Sequence, residues 1–170
     1  SIPEIKNCLR VIRLKKHELL KDEMTIDPSQ NCRAHNGIDI ENDILKAAVF
    51  ERHHDTGHVG VGFITGYGLK SGAVATSVAH DSHNLIVIGT NEADIAAAAE
   101  AVRKMNGGLA VVDHGEVLES LPLPIAGLMS PLPIEEVNSR LNALKEAAKR
   151  LGVSGDIDPF MTLAFVSLNR

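Results

Sequence analysis

Aromatic side chains are nearly missing from this 170-residue sequence: one Tyr, four Phe and no Trp, 3% in all. A core must then be built from Ala, Val, Ile and Leu, and stacking surfaces for unpaired bases are scarce. Positive charge is not in excess either. Seventeen Lys and Arg face 22 Asp and Glu, for a net charge of −5. Nucleic-acid and anionic-membrane partners are disfavoured, because phosphate binding draws on clustered cations. Only two cysteines occur, Cys8 and Cys32, with no C-x-x-C pair. A reduced, cytoplasmic setting is the simplest reading. No apolar run approaches the length of a membrane-spanning helix, and residues 1–20 lack the apolar centre of a signal peptide.

What is present is ordinary globular material: 44% apolar and 23% charged residues. That length and balance suffice for one domain, residues 1–170, with its own core. The ends, Ser1 and the strand-like run before Arg170, read as a piece cut from a longer protein. Residues 7–14 have strand content, Lys15 to Asp22 reads as a turn or short loop, and Asp27 to Gly37 reads as a loop. Strands are expected at Asp43–Arg52, Val59–Ile64, 72–79 and 85–89, although the first fits a short helix as well. Asn91 is a natural N-cap for a helix over 92–105, which Gly107 ends as the C′ residue. Leu109–Val112 and Val117–Leu121 form a hairpin around Asp113-His114-Gly115-Glu116. A second helix, 133–151, carries Ile134, Val137, Leu141, Leu144, Ala148 and Leu151 on one stripe. Phe160–Leu168 reads as a final strand. The expected class is α+β, a mixed sheet layer of six or seven strands with two main helices.

Chemistry concentrates between strands 72–79 and 85–89, at His80-Asp81-Ser82-His83-Asn84. Three readings stand side by side. His80 and His83 are candidate metal ligands with Asp81 in support, although no third ligand stands at a suitable spacing. The imidazoles, hydroxyl and amide suit the polar edge of a small molecule. Asp, Ser and Asn also cap turns without any further task. Three more histidines crowd Glu51-Arg52-His53-His54-Asp55-Thr56-Gly57-His58; His54 and His58 suit a solvated loop, whereas Glu51, Arg52 and His53 stand at a strand end, where charge more often has a task. Lys70 and Ser71 lie between Gly68 and Gly72 without P-loop spacing. The run Leu121 to Ser130 is apolar but broken by Pro122 and Pro124, so it is either a loop across the core or an interface segment. Absent are G-x-S-x-G, H-E-x-x-H and the H-x-E with P-C-x-x-C signature of zinc deaminases.

Several strings together carry a family resemblance. They are Glu51-Arg52-His53, the G-Y-G-L-K-S-G-A run from Gly66 to Ala73, S-V-A-H-D-S-H-N from Ser77 to Asn84, V-I-G-T-N from Val87 to Asn91, and Gly107-Gly108-Leu109. L-P-L-P-I-A-G-L-M-S from Leu121 to Ser130 and D-P-F-M-T-L from Asp158 to Leu163 complete the set. In order and spacing they resemble the C-terminal domain of bacterial and archaeal adenine deaminases, of the amidohydrolase superfamily. The resemblance implies adenine as substrate, hydrolysed to hypoxanthine and ammonia, with a Mn²⁺ or Fe²⁺ pair in a TIM-like barrel that this chain lacks. No cofactor is then expected in this chain. His80, Asp81, Ser82, His83, Asn84, Lys70, Ser71, Glu51, Arg52 and His53 become substrate-binding or active-site-proximal residues. The partners implied are the enzyme's own barrel and a second copy in a homodimer. A different class stays open: a stand-alone purine or small-molecule binder, or a structural and oligomerisation module.

Overall fold

The computed structural model describes residues 9–14, 21–26, 37–51, 59–79 and 84–166. Three short runs in it, at residues 73–76, 85–89 and 108–113, hold almost nothing but Ala, Val, Ile, Leu and Gly. They do not alternate with polar residues, so both of their faces must be covered.

These runs are the centre of one eight-stranded sheet. Its strands are β1 (Leu9–Leu14), β2 (Lys21–Ile26), β3 (Leu45–Phe50), β4 (Val59–Thr65), β5 (Ala73–Thr76), β6 (Leu85–Gly89), β7 (Gly108–Asp113) and β8 (Glu116–Pro122). Their order is β2-β1-β4-β3-β6-β5-β7-β8. Neighbours run antiparallel except β1 and β4, which are parallel. Helix α1 (Glu92–Lys104) covers one face, setting Ile95, Ala98 and Val102 against Ala73, Ala75, Leu85, Val87, Ala110 and Val112. Helices α2 (Ile134–Arg150) and α3 (Pro159–Val166) cover the other. There Val74, Ile86, Ile88, Leu109 and Val111 meet Leu144, Ala147, Phe160 and Leu163. The α2 stripe therefore packs inside the domain, with Ile134 alone left far out in solvent.

The helix ends follow the chemistry of their residues. Asn91 caps α1: its Oδ1 accepts the Asp94 N–H at 2.8 Å. At the other end Asn106, at φ 58°, occupies the left-handed C′ position expected for Gly107, and the Gly107 N–H reaches Val102 O at 3.0 Å. Gly152 closes α2 in the same way, with Val153 N–H on Ala148 O. Both are Schellman ends, and Asn tolerates the position second only to Gly.

Two elements correct the sequence reading. The polar run Lys21–Ile26 is a strand, β2, where a loop was expected up to Asp22. Among the described residues it is an edge strand paired only with β1, so backbone pairing places it and no apolar pattern announces it. The run from Phe160 is helix α3 and not a strand. Its β-branched and aromatic content is ambiguous; the deciding signal is Asp158-Pro159. Asp158 accepts the N–H groups of Phe160 and Met161, both at 3.0 Å, and Pro159 opens the first turn, where its missing N–H costs nothing. Lys145 of α2 pairs with the same carboxylate at 2.7 Å, and the fully buried Tyr67 donates its hydroxyl to Pro159 O at 3.0 Å.

Burial alone would raise the Asp158 pKa, but the Lys145 and N–H partners outweigh it and hold the carboxyl below its usual range. A depressed carboxylate stabilises the fold above its unfolded pKa and loses that contribution as pH falls through the folded value. Asp158→Ala is therefore expected to cost about 1 kcal/mol at neutral pH, the usual worth of an N-cap. The deficit should shrink below pH ~4, the ordinary Asp value. Urea unfolding at several pH values checks this; an undiminished deficit in acid would contradict it.

Candidate functional site

Strand register decides which side chains can meet. Phe50 pairs with both Val59 and Leu85, Thr76 pairs with Ile86 and Leu109, and Gly108 pairs with Pro122. One end of the sheet therefore gathers Glu51, Ser77 to Ala79, Asn84, Asn106 to Gly108 and the chain beyond Pro122. Glu51 and Asn84 are half-buried there. Arg52 and His53, and likewise His80, Asp81, Ser82 and His83, lie outside the described residues. Each group adjoins this end in the sequence, the first after Glu51 and the second between Ala79 and Asn84.

Lys70 and Ser71 belong to the other end. Ser71 precedes β5 and Ser77 follows it, so the four residues of the strand, roughly 13 Å of extended chain, stand between their two ends of the sheet. Local tasks account for both. Lys70 Nζ donates to Ile40 O at 3.1 Å, and its N–H to Leu151 O at 2.8 Å. Ser71 Oγ donates a short hydrogen bond to Asp113 Oδ1, whose other oxygen lies 3.0 Å from His114 Nδ1. The Ser71 bond is the main reason the Asp113 carboxyl sits below its ordinary pKa, with His114 assisting against partial burial. Here Asp113 stands between Ser71 and His114, so the imidazole is not placed to take the Ser71 proton. A nucleophilic site needs the base on the hydroxyl. Asp94 finishes this end by accepting the Gly115 N–H at 2.7 Å.

The first end is built around a residue to which sequence reasoning gave no role. Ser77 is fully buried. Its N–H donates to Gly108 O at 3.0 Å, its Oγ accepts the Gly108 N–H at 2.8 Å, and the same Oγ donates to Gly127 O at 2.7 Å. One hydroxyl thus joins β5, β7 and the proline-broken segment. Gly108 has φ 149°, and a Cβ there would stand 2.2 Å from Leu121 O. The available signal was the polar pair Thr76-Ser77 closing the apolar run Ala73-Val74-Ala75. Leu121 and Leu123 of the segment are buried, while Ile125, Leu128 and Met129 are exposed. The first part of the segment thus lies across the core, as the loop reading has it, and its second part is exposed.

A groove of about 820 Å³ runs along α1, floored by Ala48, Phe50, Val59, Val61 and Leu85. The 2.5 Å ion pair of Lys46 with Glu92 stands at one end and Asn106 with Glu51 at the other. Among the described residues no three His, Cys, Asp or Glu side chains converge as a metal ion would require. They do not fit a metal pair.

Ser77→Ala leaves a buried N–H and a buried carbonyl without their partner. Each such loss costs about 1–3 kcal/mol. We expect the unfolding midpoint in urea to drop accordingly, with no change in helix content before the transition; a midpoint equal to the parent's would contradict the clamp.

The family model for the adenine deaminase C-terminal domain matches residues 19–170. Adenine deaminase 2 of Carboxydothermus hydrogenoformans is 51% identical over 169 residues, covering 99% of this chain and 29% of that protein. The adenine deaminase of Desulfatibacillum aliphaticivorans is 49% identical over 94% of this chain and 28% of its own length. That of Bacillus pumilus is 46% identical, with the same coverage of both chains. The chain thus spans less than a third of the length of the relatives it matches. It belongs to the family of adenine deaminase C-terminal domains.

Proposed function

We propose that this chain serves as the C-terminal portion of an adenine deaminase, which converts adenine and water to hypoxanthine and ammonia. In this reading it supports or closes the active site of a catalytic barrel carried by the rest of the enzyme. The observation that carries the reading is the gathering of Glu51 and Asn84 at one sheet end, beside an exposed apolar segment held by Ser77. Arg52, His53, His80, Asp81, Ser82 and His83 lie outside the described residues and enter this reading only as sequence neighbours of Glu51, Ala79 and Asn84. Their imidazoles, carboxylate and hydroxyl, with the Asn84 amide, suit the polar edge of a purine. Lys70 and Ser71 are left out, since their partners lie at the opposite end. The manganese or iron pair is assigned to the barrel and not to this chain.

A homodimer and a cytoplasmic setting belong to the same reading. The uncovered Val59 and Val61 on β4 support self-association, and no helix among the described residues is long and apolar enough to cross a membrane.

The chain alone, with added Mn²⁺, is expected to turn over no adenine. A chimera in which it replaces the matching part of the Carboxydothermus hydrogenoformans relative is expected to be active. In that chimera His80→Ala or His83→Ala should lower kcat/KM by about ten- to a thousandfold, as loss of positioned polar groups does. Turnover by the isolated chain, or unchanged kcat/KM in both variants, would refute the reading. Sedimentation decides the dimer: a single species at 18.2 kDa at micromolar concentration would exclude it.

A further inference from the structure

We infer that the short apolar knuckle Ile125–Met129, together with Ile134, is the seat on which the catalytic remainder of the enzyme rests. Ser77 holds it beside Glu51 and Asn84. The inference rests on the function proposed above and adds the surface through which the two portions meet.

The first support is where the apolar exposure falls. Nine large apolar side chains stand exposed among the described residues, and four of them come from this one stretch: Ile125 at 47%, Leu128 at 37%, Met129 at 58% and Ile134 at 65%. Residues 121–134 also contain no charged side chain. Depletion of charge marks the centres of protein interfaces, whereas solvent-facing loops are rich in it.

The second support is that the knuckle is built and not merely left over. Its backbone closes on itself: Leu128 N–H and Met129 N–H both donate to Ile125 O, at 3.0 and 3.1 Å, and Ile125 N–H donates back to Met129 O at 3.2 Å. Ala126 takes φ 56° to make the bend, an uncommon conformation for a residue with a Cβ. Ser77 Oγ then fixes Gly127 O, and Leu123 N–H fixes the segment's entry on Gly107 O at 2.9 Å. A surface ordered in advance loses little entropy when it is covered.

The occupant follows from length and position. More than two thirds of each relative lies outside the match, so in those enzymes a much larger body is tethered to this domain. Tethering makes contact intramolecular and favours it over contact with a free second copy. The knuckle also lies at the sheet end where Glu51 and Asn84 stand, so a body seated on it lies over them.

The test uses thiol labelling. In a Cys8→Ser, Cys32→Ser background, Met129→Cys is placed in the isolated chain and in the chimera with the Carboxydothermus hydrogenoformans relative. Glu116→Cys, at the opposite end of the sheet, is the control. At sub-micromolar protein, maleimide should label Met129→Cys about tenfold or more slowly in the chimera, the mark of stable local burial, and Glu116→Cys at one rate in both. A second variant, Ile125→Ser with Met129→Ser, should leave the isolated chain's unfolding midpoint unchanged and lower the chimera's. Equal labelling of Met129→Cys in both proteins overturns the inference. So does equal protection in both, which would mean that the chain or a second copy covers the knuckle. Adenine turnover by the chimera is read separately: turnover without protection faults this inference alone, and protection without turnover faults the proposed function.

Discussion

Burial on both faces of β5, β6 and β7 is the constraint from which the rest of the structure follows. Every residue of β5 and β6 is buried, as are the first five of β7. A strand closed from both sides cannot carry a polar side chain at its centre without a partner. Small residues then become useful: Ala73, Ala75 and Ala110 on the sheet meet Ala98 on α1, which lets the helix lie close without large rings. The scarcity of aromatic residues fits this packing. Polar chemistry is expelled to the strand ends, where Thr76 accepts the Val78 N–H, Ser77 joins three segments, and Thr90 donates to Gly72 O.

The two ends then divide the work. At one, Asp43 accepts the N–H groups of Gly66 and Gly68 at 2.7 and 2.8 Å, Ser71 is bound to Asp113, and Asp94 holds Gly115. Those polar groups answer each other within the domain, and the result is structural closure. At the other end the proline-broken segment turns its apolar side chains outward, and Ser77 spends its hydroxyl on fixing that segment in place. An end that faces outward with a rigid apolar surface suits a scaffold that completes a neighbour's site.

Much of the architecture was legible because its signals are local. The all-apolar runs announced β5, β6 and β7, Asn91 announced the start of α1, and Gly152 announced the end of α2. The edge strand β2 was not legible, since pairing with β1 is non-local and leaves no apolar period. Helix α3 was missed because its composition suits a strand; only Asp158 and Pro159, acting as cap and first residue, separate the two. For the site, the family resemblance grouped Lys70 and Ser71 with Asn84, but β5 lies between them as a spacer. Register, which sets Phe50 against Leu85 and so Glu51 near Asn84, depends on strand pairing that no motif shows. Ser77 lay unassigned in a quoted string because its partners Gly108 and Gly127 are 31 and 50 residues away.

The central claim is that the end of the sheet carrying Glu51, Ser77 and Asn84 faces the catalytic portion of the enzyme, while the Ser71–Asp113 end faces away from it. Amide hydrogen exchange of this chain, alone and within the full-length chimera, measures that most directly. The account predicts added protection in the chimera at residues 77–79, 84, 106–108 and 123–130, with none at 70–72, 90–91 or 113–116. Protection confined to the Ser71–Asp113 end, or absent from both, would contradict it.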